Sequence, residues 1–165
     1  MKRIMISAMQ SGGGKTTLTC ALLALLKKRG MAVQAFKCGP DYIDPMFHSR
    51  VLGVPSRNVD LFLQGETGVL KTLGGARGEI AVIEGAMGLY DGVGGTDTAS
   101  AYALAALTKT PVILAVMPRG SSLTLAAQIK GVSQFRRDSR VSGIVLTNCR
   151  AMLYEIGRAS CRERV

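Results

Sequence analysis

Three short segments of this 165-residue chain carry residue types that do chemistry together. The first, Gln10-Ser11-Gly12-Gly13-Gly14-Lys15-Thr16-Thr17, follows an apolar run and precedes leucines at helical spacing. Strand, glycine-rich turn, lysine-threonine pair and helix form the context of a phosphate-binding loop. Glycines let successive backbone N–H groups converge on an anion, and the helix start adds the positive end of its dipole. In such a loop Lys15 reaches the outer phosphates and the Thr16 hydroxyl ligates Mg²⁺, with Ser11, Gly12, Gly13, Gly14 and Thr17 completing the cradle. The consensus puts a glycine six residues before the lysine. Here that position is Met9, so the loop has a variant entrance.

The second segment is Lys37-Cys38-Gly39-Pro40-Asp41-Tyr42-Ile43-Asp44-Pro45. A lysine and two carboxylates beside a phosphate loop can hold a γ-phosphate and its metal, and the glycine and prolines fix the backbone that carries them. A turn whose aspartates merely accept backbone hydrogen bonds is the alternative, and spacing does not choose between them. The third segment is Ile83-Glu84-Gly85-Ala86-Met87-Gly88-Leu89-Tyr90-Asp91-Gly92. Glu84 closes a buried apolar run, where an unpaired charge is expensive, so a metal- or water-positioning role is expected of it. Asp91 lies in a glycine-rich loop, where an aspartate also serves simply to form the turn.

The elements that must hold these segments alternate. Short apolar runs at 3–8, 31–37, 80–84, 111–117 and 141–147 read as five strands. Helical spacing follows the first run and recurs at 46–52, 67–75, 98–107 and 121–135, with loops at 39–45 and 85–95. Strands apolar on both faces and alternating with helices indicate an α/β fold of the P-loop NTPase-like kind, a mostly parallel sheet with helices on both faces. Ligands in such sheets bind beyond the carboxyl ends of the strands, and the three segments follow the first, second and third strands.

Composition narrows the setting. A chain 47% hydrophobic and 19% charged is not intrinsically disordered, and its length suits one domain. No apolar run reaches the roughly 18–20 residues that span a membrane, and the N-terminal run lacks the features of a secretory signal, so a cytoplasmic protein is expected. The balance of 21 basic against 11 acidic residues, a net charge of +10, favours anionic partners such as nucleotides, polycarboxylates or nucleic acid. Cys20, Cys38, Cys149 and Cys161 form no CxxC pair, so reduced thiols are expected rather than a disulfide framework or a zinc site.

Residues 37–45 as KCGPDYIDP, then Phe47-His48, Asn58-Val59-Asp60 and 84–92 as EGAMGLYDG, together resemble the cobyrinic acid a,c-diamide synthase family. These are glutamine-dependent enzymes that amidate two carboxylates of the corrin ring. The resemblance covers residues 1–148, with Val59 where the family usually has leucine and Thr147-Asn148-Cys149 where it reads closer to LNR. It implies that ATP phosphorylates a substrate carboxylate and that ammonia displaces phosphate from the acyl phosphate. Lys15 and Lys37 would supply charge, and Thr16, Asp41 and Glu84 would hold Mg²⁺. Tyr42, Asp44 and Asp91 would line the side of the corrinoid or related tetrapyrrole polycarboxylic acid, and Asn148 would read adenine. His48 matches a family histidine with no triad or metal set near it in sequence, and a structural or substrate-side hydrogen bond is expected of it.

The family draws ammonia from a carboxy-terminal glutaminase domain, which nothing here resembles, so the chain alone is expected to be inactive with glutamine. Residues 1–154 are expected to be an incomplete ATP-binding synthetase domain, truncated so that a sheet edge and apolar faces await further chain. Residues 155–165 continue no upstream pattern, and ordinary codons for them spell a common sequencing adapter, so they are expected to be non-native. A homodimer is among the expected assemblies, while nucleic acid and membrane are not expected partners. Related readings are amidation of a nickel-bound sirohydrochlorin, a partition-type switch ATPase and a dethiobiotin synthetase-like carboxylase. Gln10, where partition-type ATPases carry a signature lysine, and the two carboxylate-rich motifs argue against the switch.

Overall fold

A computed structural model of the chain describes residues 1–149. The boundary near Tyr154 and the segment 155–165, with Cys161, lie outside the described residues. Along the chain come β1 (Lys2–Ala8), α1 (Lys15–Lys28), β2 (Val33–Cys38), α2 (Ile43–Arg50), β3 (Ser56–Val59) and α3 (Leu61–Gly74). They are followed by β4 (Ile80–Glu84), α4 (Ala101–Thr108), β5 (Val112–Val116), α5 (Leu123–Gln134) and β6 (Val141–Leu146). The strands form a parallel sheet of order β3-β2-β4-β1-β5-β6. Among the described residues no helix is long and apolar enough to cross a membrane.

Period-two alternation sorts the strand residues into two cores. On one face Ile6, Val33, Ala35 and Val82 pack with Leu23 of α1 and with Val54, bordered by Leu18, Leu22 and Leu26. On the other, Met5, Phe36, Ala81 and Ile83 meet Leu73 of α3, Leu104 of α4 and Leu125 of α5. Each of the large side chains removed from water contributes about 1.5–3 kcal/mol. Helices cover both faces, as the two-sided apolar strands require.

The α1 face carries the rows that end in the site. Val33, Ala35 and Lys37 alternate up β2, and Ile80, Val82 and Glu84 up β4. Lys37 lies directly opposite Glu84 in the β2–β4 register. The same pleat that builds the core therefore delivers a lysine and a glutamate side by side at the strands' carboxyl ends.

Three features depart from expectation. A sixth strand, β3, is Ser-Arg-Asn-Val on the sheet edge, too short and polar to stand out as an apolar run. The helix expected at 67–75 begins at Leu61, capped by Asp60 Oδ1 accepting from the amides of Phe62 (2.8 Å) and Leu63 (3.1 Å), and is broken by Gly65 at φ 63°. The loop expected to run through 45 ends early, since α2 starts at Ile43 rather than at 46. Asp41 Oδ1 accepts from the amides of Ile43 (2.9 Å) and Asp44 (3.2 Å) and so nucleates that helix.

Candidate active site

The phosphate-loop segment turns sharply between β1 and α1. Gly12 (φ 71°) and Gly14 (φ 88°) take left-handed conformations, and a Cβ on Gly13 would lie 2.8 Å from Ala8 Cβ. Only glycine fits that close approach. The far side of the loop is braced by the end of β6, where Thr147 Oγ1 donates to Gly13 O at 2.9 Å. Sequence reading passed over Thr147; its position beside Asn148 at a strand end was the available signal. Lys15, 8% exposed, donates from Nζ to Met87 O at 2.5 Å and to Gln10 O at 3.4 Å. Burial and the nearby Lys37 ammonium lower its pKa from the ordinary lysine value.

Glu84 is fully buried, and its Oε1 accepts from Thr16 Oγ1 at 2.6 Å and from Lys37 Nζ at 3.0 Å. The first residues of α1 and the ends of β2 and β4 thus meet on one carboxylate oxygen. Lys37, 6% exposed, also donates to Asp44 Oδ2 at 2.5 Å and lies 3.6 Å from Asp41 Oδ2. Burial works against the Lys37 ammonium, but its hydrogen bond to Asp44 and the Glu84 charge outweigh it and raise its pKa. Burial pushes the Glu84 carboxyl upward, opposed by the Thr16 hydroxyl and Lys37. Three acidic side chains thus surround one buried lysine at the rim.

Asp41 forms the turn that was one of its two readings, since one oxygen caps α2, and its other oxygen faces Lys37. Its loop is tied down by Asn58, whose Nδ2 donates to Gly39 O at 2.8 Å and Asp41 O at 2.5 Å. Asp91 Oδ2 accepts from Gly88 N at 2.8 Å, closing the turn that aims Met87 O at Lys15. Tyr42 projects outward, 80% exposed, at the start of α2. Ser11 and Thr17 are exposed on and beside the loop, and Asn148, also exposed, follows β6 with φ 47°. The structure therefore gathers Lys15, Thr16, Lys37, Asp41, Asp44 and Glu84 into one cluster. Tyr42 and Asn148 stand at its margins.

Cys38, buried beneath this rim, has its thiol pKa pushed up to about 11 by burial, so it is a packing residue and not a nucleophile.

A parallel sheet with a glycine-rich turn between β1 and α1, and a lysine and threonine opening that helix, defines a P-loop NTPase-like protein. Residues 4–155 match the CobQ/CobB/MinD/ParA nucleotide binding domain, and the chain belongs to that family. It is 45% identical over 163 residues to a cobyrinate a,c-diamide synthase of Clostridium acetobutylicum, covering 99% of this chain and 37% of the relative. A protein of the same name from Gloeobacter violaceus is 47% identical over 146 residues, covering 87% of this chain and 32% of that one. The chain thus spans about a third of the length of these curated relatives. The signal recognition particle receptor FtsY of Elizabethkingia anophelis shares the fold, with a TM-score of 0.61 at 17% identity over 89% of this chain and 50% of that one.

Proposed function

We propose that the chain is the ATP-binding, carboxylate-activating part of an enzyme that amidates a corrinoid polycarboxylic acid, as the relatives' name, cobyrinate a,c-diamide synthase, indicates for them. The observation that carries this reading is the 2.6 Å contact between Thr16 Oγ1 and Glu84 Oε1, with Lys37 on the same oxygen. It joins the phosphate loop to an acidic strand end through groups that suit a phosphoryl-transfer site.

These residues fit a magnesium-bound triphosphate. A hydroxyl and a carboxylate are hard oxygen donors of the kind Mg²⁺ takes, with phosphate oxygens and water completing its shell. Among the described residues no group of three His, Cys, Asp or Glu side chains forms a metal cage, and a phosphate-bound Mg²⁺ needs none. Thr16 and Glu84, with Asp41, would hold the ion, which neutralises charge on the phosphoryl oxygens.

The amides of residues 12–17 and the Lys15 ammonium then bind the phosphates, and Lys37 is oriented by Asp44 and Glu84 toward the transferring group. A substrate carboxylate oxygen attacks the γ-phosphorus and ADP leaves, giving an acyl phosphate. Ammonia adds to its carbonyl, phosphate departs, and loss of a proton leaves the amide. A carboxylate is a poor electrophile, so phosphorylation supplies the leaving group, and the protein contributes alignment and charge neutralisation. Tyr42, Asp44 and Asp91 line the corrinoid side, and Asn148 contacts the adenine. Ammonia comes from glutamine through a glutaminase domain outside this chain.

The test is full-length protein supplied with ATP, Mg²⁺, ammonia and candidate tetrapyrrole acids. ADP release that depends on the tetrapyrrole and matches amide formed is the expected result. Release stimulated by DNA or lipid and indifferent to tetrapyrroles would instead assign the family's switch-ATPase activity.

A further inference from the structure

We infer that His48 is a positioning residue for Glu84: pinned by Ser56, it turns its Nε2–H toward Glu84 Oε2 and so fixes which oxygen the carboxylate presents to the phosphate loop. The inference rests on the reading of Glu84 given above. His48, on α2, is fully buried. Its Nδ1 lies 3.2 Å from Ser56 Oγ on β3, and its Nε2 lies 3.7 Å from Glu84 Oε2 at the end of β4.

Two buried polar atoms are left without hydrogen-bond partners here, His48 Nε2 and Glu84 Oε2, and they face each other. Native proteins rarely leave such atoms orphaned, and two facing orphans share one remedy, a small closure of the gap between them. At 3.7 Å the pair is beyond a direct hydrogen bond but within reach of one.

The ring's tautomer follows from the partners of its two nitrogens. A proton on Nδ1 would be given to Ser56 and leave the Nε2 lone pair against a carboxylate oxygen in a buried site. The reverse arrangement, Ser56 Oγ–H donating to Nδ1, puts the proton on Nε2 and aims it at Oε2. Because Oε1 is already held by Thr16 and Lys37, a donor behind Oε2 completes the orientation of the carboxylate. This also gives β3, the short polar edge strand, a part in the site.

Full-length protein, its His48→Gln, His48→Leu and Ser56→Ala variants and a Glu84→Gln control carry the test. Gln keeps an N–H donor near the Nε2 position, and Leu does not. The Leu variant is expected to lower kcat for tetrapyrrole-dependent ADP formation by about 10–100-fold and to raise the Mg²⁺ concentration needed, with the tetrapyrrole KM unchanged. The Gln variant should recover most of that loss. In ¹⁵N-histidine spectra at pH 8, the signal missing from the Gln variant should show the proton on Nε2 in the wild type. Ser56→Ala, which leaves the ring in place, should mix in the Nδ1–H form and lower kcat.

A proton on Nδ1 in the wild type, or a Gln variant no better than Leu, overturns the inference. If the Leu variant does not fold, Ser56→Ala decides, and wild-type tautomer and kcat in that variant overturn it. Glu84→Gln inactive beside a fully active Leu variant sinks the role of His48 alone. Glu84→Gln with undiminished turnover removes the reading of Glu84, and this inference with it.

Discussion

Glu84 and Lys37 are the two hubs of the site; one oxygen of Glu84 takes Thr16 and Lys37, and the other faces His48. Glu84 is fully buried; burial pushes its pKa up, and the Thr16 hydroxyl and Lys37 oppose that rise. Glu84→Gln keeps the shape and a carbonyl acceptor but removes the charge, and Lys37 retains Asp44. ADP formation in the full-length variant should fall about 10²–10³-fold, with an unchanged far-UV circular dichroism spectrum; turnover within a few-fold of wild type would take Glu84 out of the site. The importance of Glu84 was legible because a charged residue ended an apolar run. His48 could be picked out as a hydrogen-bonding residue but its neighbours could not, since Ser56 and Glu84 lie on two strands that only the folded sheet brings to α2.

At the scale of elements, the loop between β1 and α1 is tightly constrained. A Cβ on Gly13 would meet Ala8 Cβ at 2.8 Å and Gln10 O at 3.2 Å, neither at the end of a flexible side chain. Gly13→Ala should therefore push the loop outward, at a cost of about 1–3 kcal/mol in denaturant unfolding, and weaken nucleotide binding measured by calorimetry. Wild-type affinity in that variant would mean that the loop does not wrap the phosphates. The strands β4 and β5 could be read directly as nearly unbroken apolar runs, and β1 because its apolar stretch leads into the glycine-rich turn. β3 could not: Ser56, Arg57 and Asn58 have the polarity of a loop, and the strand exists because β2 offers an edge to pair with. Nor could the first turn of α3, whose signal was Asp60 with Gln64 Oε1 accepting the Asp60 amide at 3.0 Å, a pairing that Gly65 just beyond obscures.

For the whole molecule, the alternation of strands and helices disclosed a parallel sheet but not its order. That β4 inserts between β1 and β2 depends on which face each crossover helix packs, a property of no single segment. This insertion makes the site. The chain leaves β1 toward β2 on one side and leaves β4 toward β5 on the other, so the carboxyl ends of β1 and β4 flank the point where the winding reverses. The phosphate loop follows one of these strands and Glu84 ends the other. A crystal structure of the full-length protein with Mg²⁺ and a non-hydrolysable ATP analogue probes that convergence without relying on turnover. The expected result has Lys15 Nζ moved from Met87 O to the phosphates, and the cation at about 2.0–2.1 Å from Thr16 Oγ1 with the Glu84 carboxylate beside it. Triphosphate bound away from residues 12–17, or a cation touching neither Thr16 nor Glu84 directly or through water, would contradict it.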